Sequence, residues 1–191
     1  MPLTALDPNT ALVAIDLQRG LSQRPLLHPF ADVVANTARL ARAFRRARLP
    51  VVLVRVGFSA DRGDMLRARV EAPPRLPADL GPEFFELVPE LGPEADDLVI
   101  TKRQPSAFYG TELDLQLRRR HVTGIVLTGV ATSVGVDYTA RAAHERAYNV
   151  SFASDAMTDV DVVSHEFAMT RSFPRLGEIG STDAILQLLG R

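Results

Sequence analysis

The strongest constraint in this sequence is a recurring pair of patterns. Short apolar runs without polar alternation are each followed by a segment whose apolar residues return at helical spacing. Residues 11–16 open the series and end in the carboxylate of Asp16, as a buried parallel strand does when it delivers a residue at its carboxyl edge. Residues 51–56, 98–102, 125–128 and 149–156 repeat the apolar pattern. Between the first two runs, residues 31–48 place Val33, Val34, Ala38, Leu40, Ala41 and Phe44 on one helical face, with Arg39, Arg42, Arg45 and Arg46 between them; Leu49 and Pro50 end that helix. A second helix is predicted over 113–120 with Thr111 as its N-cap. A third carries Val136 to Ala147, a fourth covers 165–173 before Pro174, and a closing helix covers 182–189 before Gly190. Alternation of this kind predicts a three-layer α/β/α sandwich around a mainly parallel sheet, with the working crevice beyond the carboxyl ends of the strands. Asp16, Lys102, the turn 129–135 and Asp155 are the residues expected there.

Length and composition narrow the function. The 191 residues suffice for one ordinary core and no linker or repeat divides them, so a single domain over 1–191 is expected. The balance of 22 Lys+Arg against 23 Asp+Glu lacks the basic footprint of a general nucleic-acid binder. No apolar stretch approaches the roughly 20 residues that cross a bilayer. The start of the chain, from Met1 and Pro2 onward, has neither the basic residues nor the apolar core of a secretory signal, so a cytoplasmic protein is expected, without nucleic-acid or membrane partners. There is no cysteine, which excludes disulfides, thiolate metal sites and any thiol nucleophile. His28, His121, His144 and His165 are scattered without zinc-ligand spacing, and no glycine-rich phosphate cradle follows a strand; neither metal nor cofactor is expected. Residues 58–97 carry Pro73, Pro74, Pro77, Pro82, Pro89 and Pro93, which predicts a long surface connection. Phe84, Phe85 and Leu87 within it can pack on a neighbouring subunit or on their own domain.

Two constellations can carry chemistry. Burial at a strand end penalises the charge of Asp16 and raises its pKa, while a nearby cation opposes that shift. Lys102 is the candidate cation, and the two form either a coupled proton-moving pair or a structural ion pair. The turn from Gly129 to Val136 joins a strand to a helix, so its N–H groups can form an oxyanion site, or its small residues can serve only a tight turn. Ser133 and Thr132 invite a serine-hydrolase reading, with His121, His144 or His165 as the base, but no G-x-S-x-G is present.

In order along the chain, Ala14, Ile15, Asp16, Leu17 and Gln18, then Thr101 and Lys102 with Ser106, Ala107 and Phe108, then Gly129 to Thr132, then Ser154, Asp155 and Ala156, resemble the isochorismatase-like hydrolase superfamily. The resemblance covers nearly the whole chain. It implies the same three-layer fold, a small-molecule substrate, a homo-oligomer (dimer or tetramer), and a site made of an Asp, a Lys and, in most members, a Cys nucleophile. Asp16 and Lys102 take the first two roles. Gln18, Phe108, Val130, Ala131, Thr132 and Ser133 become the implied substrate contacts, with the Val130–Ala131 peptide cis. The Cys position of the family pattern falls on Gly135, which closes the thioester route of nicotinamidases and N-carbamoyl amidohydrolases.

Glycine at that position resembles true isochorismatases, which cleave a vinyl ether without a covalent intermediate. The family's Asp protonates the enolpyruvyl methylene carbon and water adds to the oxocarbenium ion. The resemblance therefore implies Asp16 as proton donor, Lys102 as orienting cation and Gly135 as space in place of a thiol. Isochorismatases tend to continue after the Lys as Trp-Arg-Tyr-Ser-Ala-Phe. This chain has Arg103, Gln104, Pro105, Ser106, Ala107 and Phe108, which displaces the guanidinium by one position and removes two aromatics. Two other readings stay open: a hydrolase using Ser133, Thr132 or a water activated by Asp16, and a catalytically silent binding or assembly protein.

Overall fold

A computed structural model describes residues 3–73 and 80–190; Met1, Pro2, Pro74 and Pro77 lie outside the described residues. The apolar runs form strands β1 (Thr10–Ile15), β2 (Val51–Val56), β3 (Leu98–Lys102), β4 (Gly124–Val130) and β5 (Asn149–Thr158), joined by β6 (Gly177–Gly180). They make one sheet in the order β3-β2-β1-β4-β5-β6, with every pairing parallel. The α-helices are α1 (Phe30–Arg46), α2 (Leu113–Arg119), α3 (Asp137–Glu145), α4 (Val162–Phe167) and α5 (Thr182–Leu189).

The central strands lack polar alternation because both faces of the sheet are covered. Leu12, Ala14, Leu53 and Val126 pack with Val33, Leu40 and Phe44 of α1 and Ile185 of α5. Their neighbours of opposite parity, Val13, Ile15, Val54, Ile125 and Leu127, pack with Leu113 and Leu117 of α2 and with Ala140 and Ala143 of α3. Each such aliphatic side chain contributes about 1.5–3 kcal/mol through burial, so both parities hold the sheet between its helices. The expected three-layer, parallel architecture is the observed one.

Strand order reverses between β1 and β4, and in parallel sheets a crevice opens at such a switch point. The close approach of the two strands there requires a glycine. Gly129 has φ +120, and a Cβ on it would stand 2.0 Å from the Ile15 carbonyl oxygen.

Several details differ from the sequence reading. β5 runs on to Thr158, past a register shift against β4, so Asp155 lies within the strand and not at its end. Its carboxylate accepts hydrogen bonds from Thr182 N–H (2.7 Å) and Thr182 Oγ1 (2.8 Å), which anchors the start of α5. β6, Gly-Glu-Ile-Gly, has too little apolar character to read as a strand and is formed by pairing with β5. The fourth helix starts earlier, at Val162, because Asp161 accepts from Ser164 N–H and caps it. Thr111 lies one residue before the N-cap of α2, although its hydroxyl accepts from Leu113 N–H.

The long connection contains short 3-10 turns at Pro82–Phe85 and Pro89–Leu91, and Leu87 bridges to Gln18. Phe84 and Phe85 are half-buried against their own chain: the Phe85 ring stands edge-on to Phe58, with centroids 6.1 Å apart. No helix among the described residues is long and apolar enough to cross a membrane.

Candidate active site

At the end of β1 the chain swings out of the sheet: Asp16 adopts φ 53, a left-handed conformation that aspartate tolerates better than most residues. Lys102, the last residue of β3, reaches across β2 and places Nζ 2.7 Å from Asp16 Oδ2. Both residues are buried, Asp16 at 6% and Lys102 at 3% exposure. The other carboxylate oxygen, Oδ1, is buried and meets no hydrogen-bond geometry with any of the described residues. Burial pushes the Asp16 carboxyl above its ordinary value and outweighs the charge and hydrogen bond of Lys102 and the nearby Val56 amide, which pull it down. The result is a buried carboxyl group with one oxygen held by a cation and the other turned away from it.

The turn after β4 closes the site from the other side. The Val130–Ala131 peptide is cis, and residues Thr132–Val136 form one wide π-helical turn leading into α3. Gly135 is buried and faces Asp16, where a Cβ would stand 3.2 Å from Asp16 Oδ2, 3.1 Å from Val130 O and 2.9 Å from Ile15 Cγ2. The space expected in place of a thiol is therefore not open, since the turn has closed onto Ile15 and Asp16. Three of its amides are also engaged: Val134 and Val136 N–H donate to Ala131 O, and Ser133 N–H donates to Asp159 Oδ2.

The remaining residues expected to touch substrate divide. Gln18 is fully buried, and its amide both donates to Val56 O (3.0 Å) and accepts from Val56 N–H (2.8 Å), which fixes the end of β2. Phe108 departs from its expected place. Its ring packs in the core 5.8 Å from that of Tyr148, beside the amino end of β5, because a large apolar ring is better accommodated there than beside a charged pair. Thr132 is fully buried, with Oγ1 2.9 Å from His165 Nδ1. The Ser133 hydroxyl donates to Asp159 Oδ2 at 2.8 Å.

Asp159 is the residue the sequence reading missed, and it lies in the same cluster as His28 and His165, which that reading named only as scattered histidines and, for His165, as a candidate base. Asp159 follows β5, is 2% exposed, and also accepts from Val160 N–H. His28 Nδ1 lies 3.1 Å from Met157 O, and its ring stands edge-on to that of His165 at 5.1 Å. Burial, reinforced by the charge of His28, holds His165 below its ordinary pKa, so the ring bonded to Thr132 is biased to its neutral form. The available signal was the polar pair Thr158 and Asp159 directly after the apolar Ala156 and Met157.

Comparison with known proteins gives the family. The isochorismatase domain matches residues 10–184. An uncharacterized isochorismatase family protein of Escherichia coli O157:H7 is 43% identical over 182 residues, covering 94% of this chain and 96% of its own. The isochorismatase of Bacillus subtilis (strain 168) is 28% identical over 186 residues, 96% of this chain and 59% of that protein. An isochorismatase family protein from Burkholderia thailandensis superposes with TM-score 0.94 at 44% identity over 98% of both chains. On the parallel sheet described above and a domain match spanning most of its length, this chain belongs to the isochorismatase family of hydrolases.

Proposed function

We propose that this protein hydrolyses a small vinyl ether of the isochorismate type by general acid catalysis, with Asp16 as proton donor and no covalent enzyme intermediate. The observation that carries this reading is the buried Asp16 carboxyl, held by Lys102 on Oδ2 and left without a partner on Oδ1. Lys102 occupies one oxygen, so the transferable proton belongs on the other. Oδ1–H delivers it to the methylene carbon of the enolpyruvyl group, and the ether carbon becomes an oxocarbenium ion. Water adds to that carbon and returns a proton to the Asp16 carboxylate. The hemiketal then collapses to an alcohol and pyruvate. One water is consumed, one C–O bond is broken, and Asp16 ends as it began.

Three further points support the reading. No cysteine is available for a thioester. The relative from Bacillus subtilis is an isochorismatase. The hydroxyl groups nearest the site are engaged elsewhere: the Thr132 hydroxyl lies against His165 but has no exposed surface, and that of Ser133 is donated to Asp159. The Thr132–His165 contact thus suits a brace better than a nucleophile and base.

The test is turnover of purified protein with isochorismate, following pyruvate. One pyruvate per substrate consumed is expected. Absence of pyruvate with the substrate intact would discard this substrate class and favour a silent binding protein.

A further inference from the structure

Parallel pairing of β1 with β2 sets up a hydrogen-bond ladder that the main chain leaves at Asp16. Asp16 N–H donates to Val54 O at 2.9 Å, the last rung made by backbone alone. The next two rungs of that register would be Val56 N–H onto Asp16 O and Gln18 N–H onto Val56 O. Neither forms. The left-handed turn at Asp16 directs Gln18 N–H back onto Asp16 O at 2.9 Å, which occupies both backbone groups. Val56 would then carry an orphaned donor and acceptor. The Gln18 side chain supplies both missing partners: Oε1 accepts from Val56 N–H at 2.8 Å and Nε2 donates to Val56 O at 3.0 Å. A primary amide offers the donor and acceptor of a peptide group, so it completes the ladder while the main chain departs.

We propose that Gln18 is a positioning residue for Asp16, holding it in its left-handed conformation and keeping the Val56 amide from its carboxyl. Its value to turnover rests on Asp16 being the proton donor. Gln18 has no exposed surface with which to meet a substrate. The long connection clamps the same segment: Arg19 N–H donates to Glu86 O at 2.9 Å and Val88 N–H to Leu17 O at 3.1 Å. Val56 also stands opposite Lys102 in the register of β2 with β3, so the amide fixes the strand end lying between Asp16 and its cation.

The consequence is electrostatic. Burial raises the Asp16 carboxyl; Lys102 lowers it most and the Val56 amide least. Among the described residues, Lys102 is the one charged group acting on that carboxyl. β4 and residues 131–136 contain no titratable side chain. Arg55 of β2 bonds Thr101 Oγ1 through Nε at 3.0 Å, Arg103 pairs with Asp64, Arg19 pairs with Glu86, and Asp159 is engaged by Ser133. Without the Gln18 amide, Val56 N–H is freed beside the Asp16 carboxylate, and a hydrogen bond to the charged form favours that form.

Carbon-13 NMR of the Asp16 carboxyl in the full chain, run beside pyruvate release from isochorismate, tests this role. Gln18→Met keeps a similar volume and removes both hydrogen bonds. Its Asp16 midpoint should fall below that of the wild type, and kcat should drop about a hundredfold with KM little changed. Gln18→Asn, one methylene short of Val56, should move the midpoint the same way and serves if the Met variant does not fold. Gln18→Glu retains an acceptor for Val56 N–H, so its Asp16 midpoint should stay at or above the wild-type value. Unchanged midpoints in Gln18→Met and Gln18→Asn would overturn the role, as would a fall in Gln18→Glu equal to theirs. A midpoint that drops in Gln18→Met while the wild type releases no pyruvate would support the positioning of the carboxyl and count against isochorismate alone.

Discussion

At the carboxyl end of the sheet, Asp16 meets Lys102 with one carboxylate oxygen left over, whereas Asp159 beyond β5 has both oxygens filled by Ser133 and Val160. Both carboxylates are buried, and both follow apolar strands. Buried polar groups in folded proteins are almost always satisfied, so a shortfall marks a place where stability has been given up. Asp159 ties two successive strand–helix connections together and leaves its partners nothing to exchange with a ligand. Asp16 is held by its cation yet unfinished, the condition a proton donor needs. The contrast is the ground for proposing chemistry at the first cluster and structural support at the second.

The largest effect that can break this assignment is on turnover. Asp16→Asn should lower the rate of pyruvate release by about a thousandfold, with the fold retained by circular dichroism; full activity in the variant would remove Asp16 from its role. In the wild type the rate should fall as pH rises through the raised pKa of Asp16, because the protonated form is the active one.

On the other side of the comparison, Asp159→Ala leaves Ser133 N–H and the Ser133 hydroxyl without their charged acceptor. It should cost about 3 kcal/mol of stability, read from urea denaturation, and a loss below 1 kcal/mol would show that the cluster is not a support. Gly135→Cys lies between the two. Its Cβ would crowd Ile15 Cγ2 at 2.9 Å, so a loss of about 2 kcal/mol is expected and no amidase activity should appear. The smallest effect concerns His165. Its pKa is held below the ordinary 6.5, so the unfolded chain binds a proton that the folded chain resists. The stability it confers is complete above pH 6.5 and is lost as pH falls below that value. Melting temperature should decline from pH 7.5 to 5.5, and His165→Gln should flatten the decline; an unchanged slope would contradict this.

How much of this was legible in the sequence depended on hydrophobic contrast. β1, β2, β4 and β5 announced themselves because their faces are largely buried, and the edge strand β3, where Val99 is exposed, by its short apolar run; Asp16 and Lys102 were legible as polar residues ending such runs. β6 was not, since two of its four residues are glycine and its order comes from pairing with β5. Asp159 was missed because β5 extends beyond the run of 149–156 through a register shift that side-chain pattern does not encode. Phe108 and Gln18 were expected to touch substrate, but one packs in the core beside Tyr148 and the other bonds the backbone of Val56, because spacing gives a residue's neighbourhood and not its orientation. The closure of the turn onto Ile15 is likewise a backbone property that the glycine at 135 permits but does not dictate.

The most direct test of the central claim does not depend on which substrate is correct. Carbon-13 NMR of aspartate carboxyl groups, with the Asp16 resonance assigned by its loss in Asp16→Asn, reports the titration of this group in the folded protein. The account requires Asp16 to titrate above the ordinary value of 3.8, held there by burial in spite of Lys102. A midpoint at or below 3.8 would show that the ion pair dominates, and would leave Asp16 an anchored carboxylate unable to supply the proton.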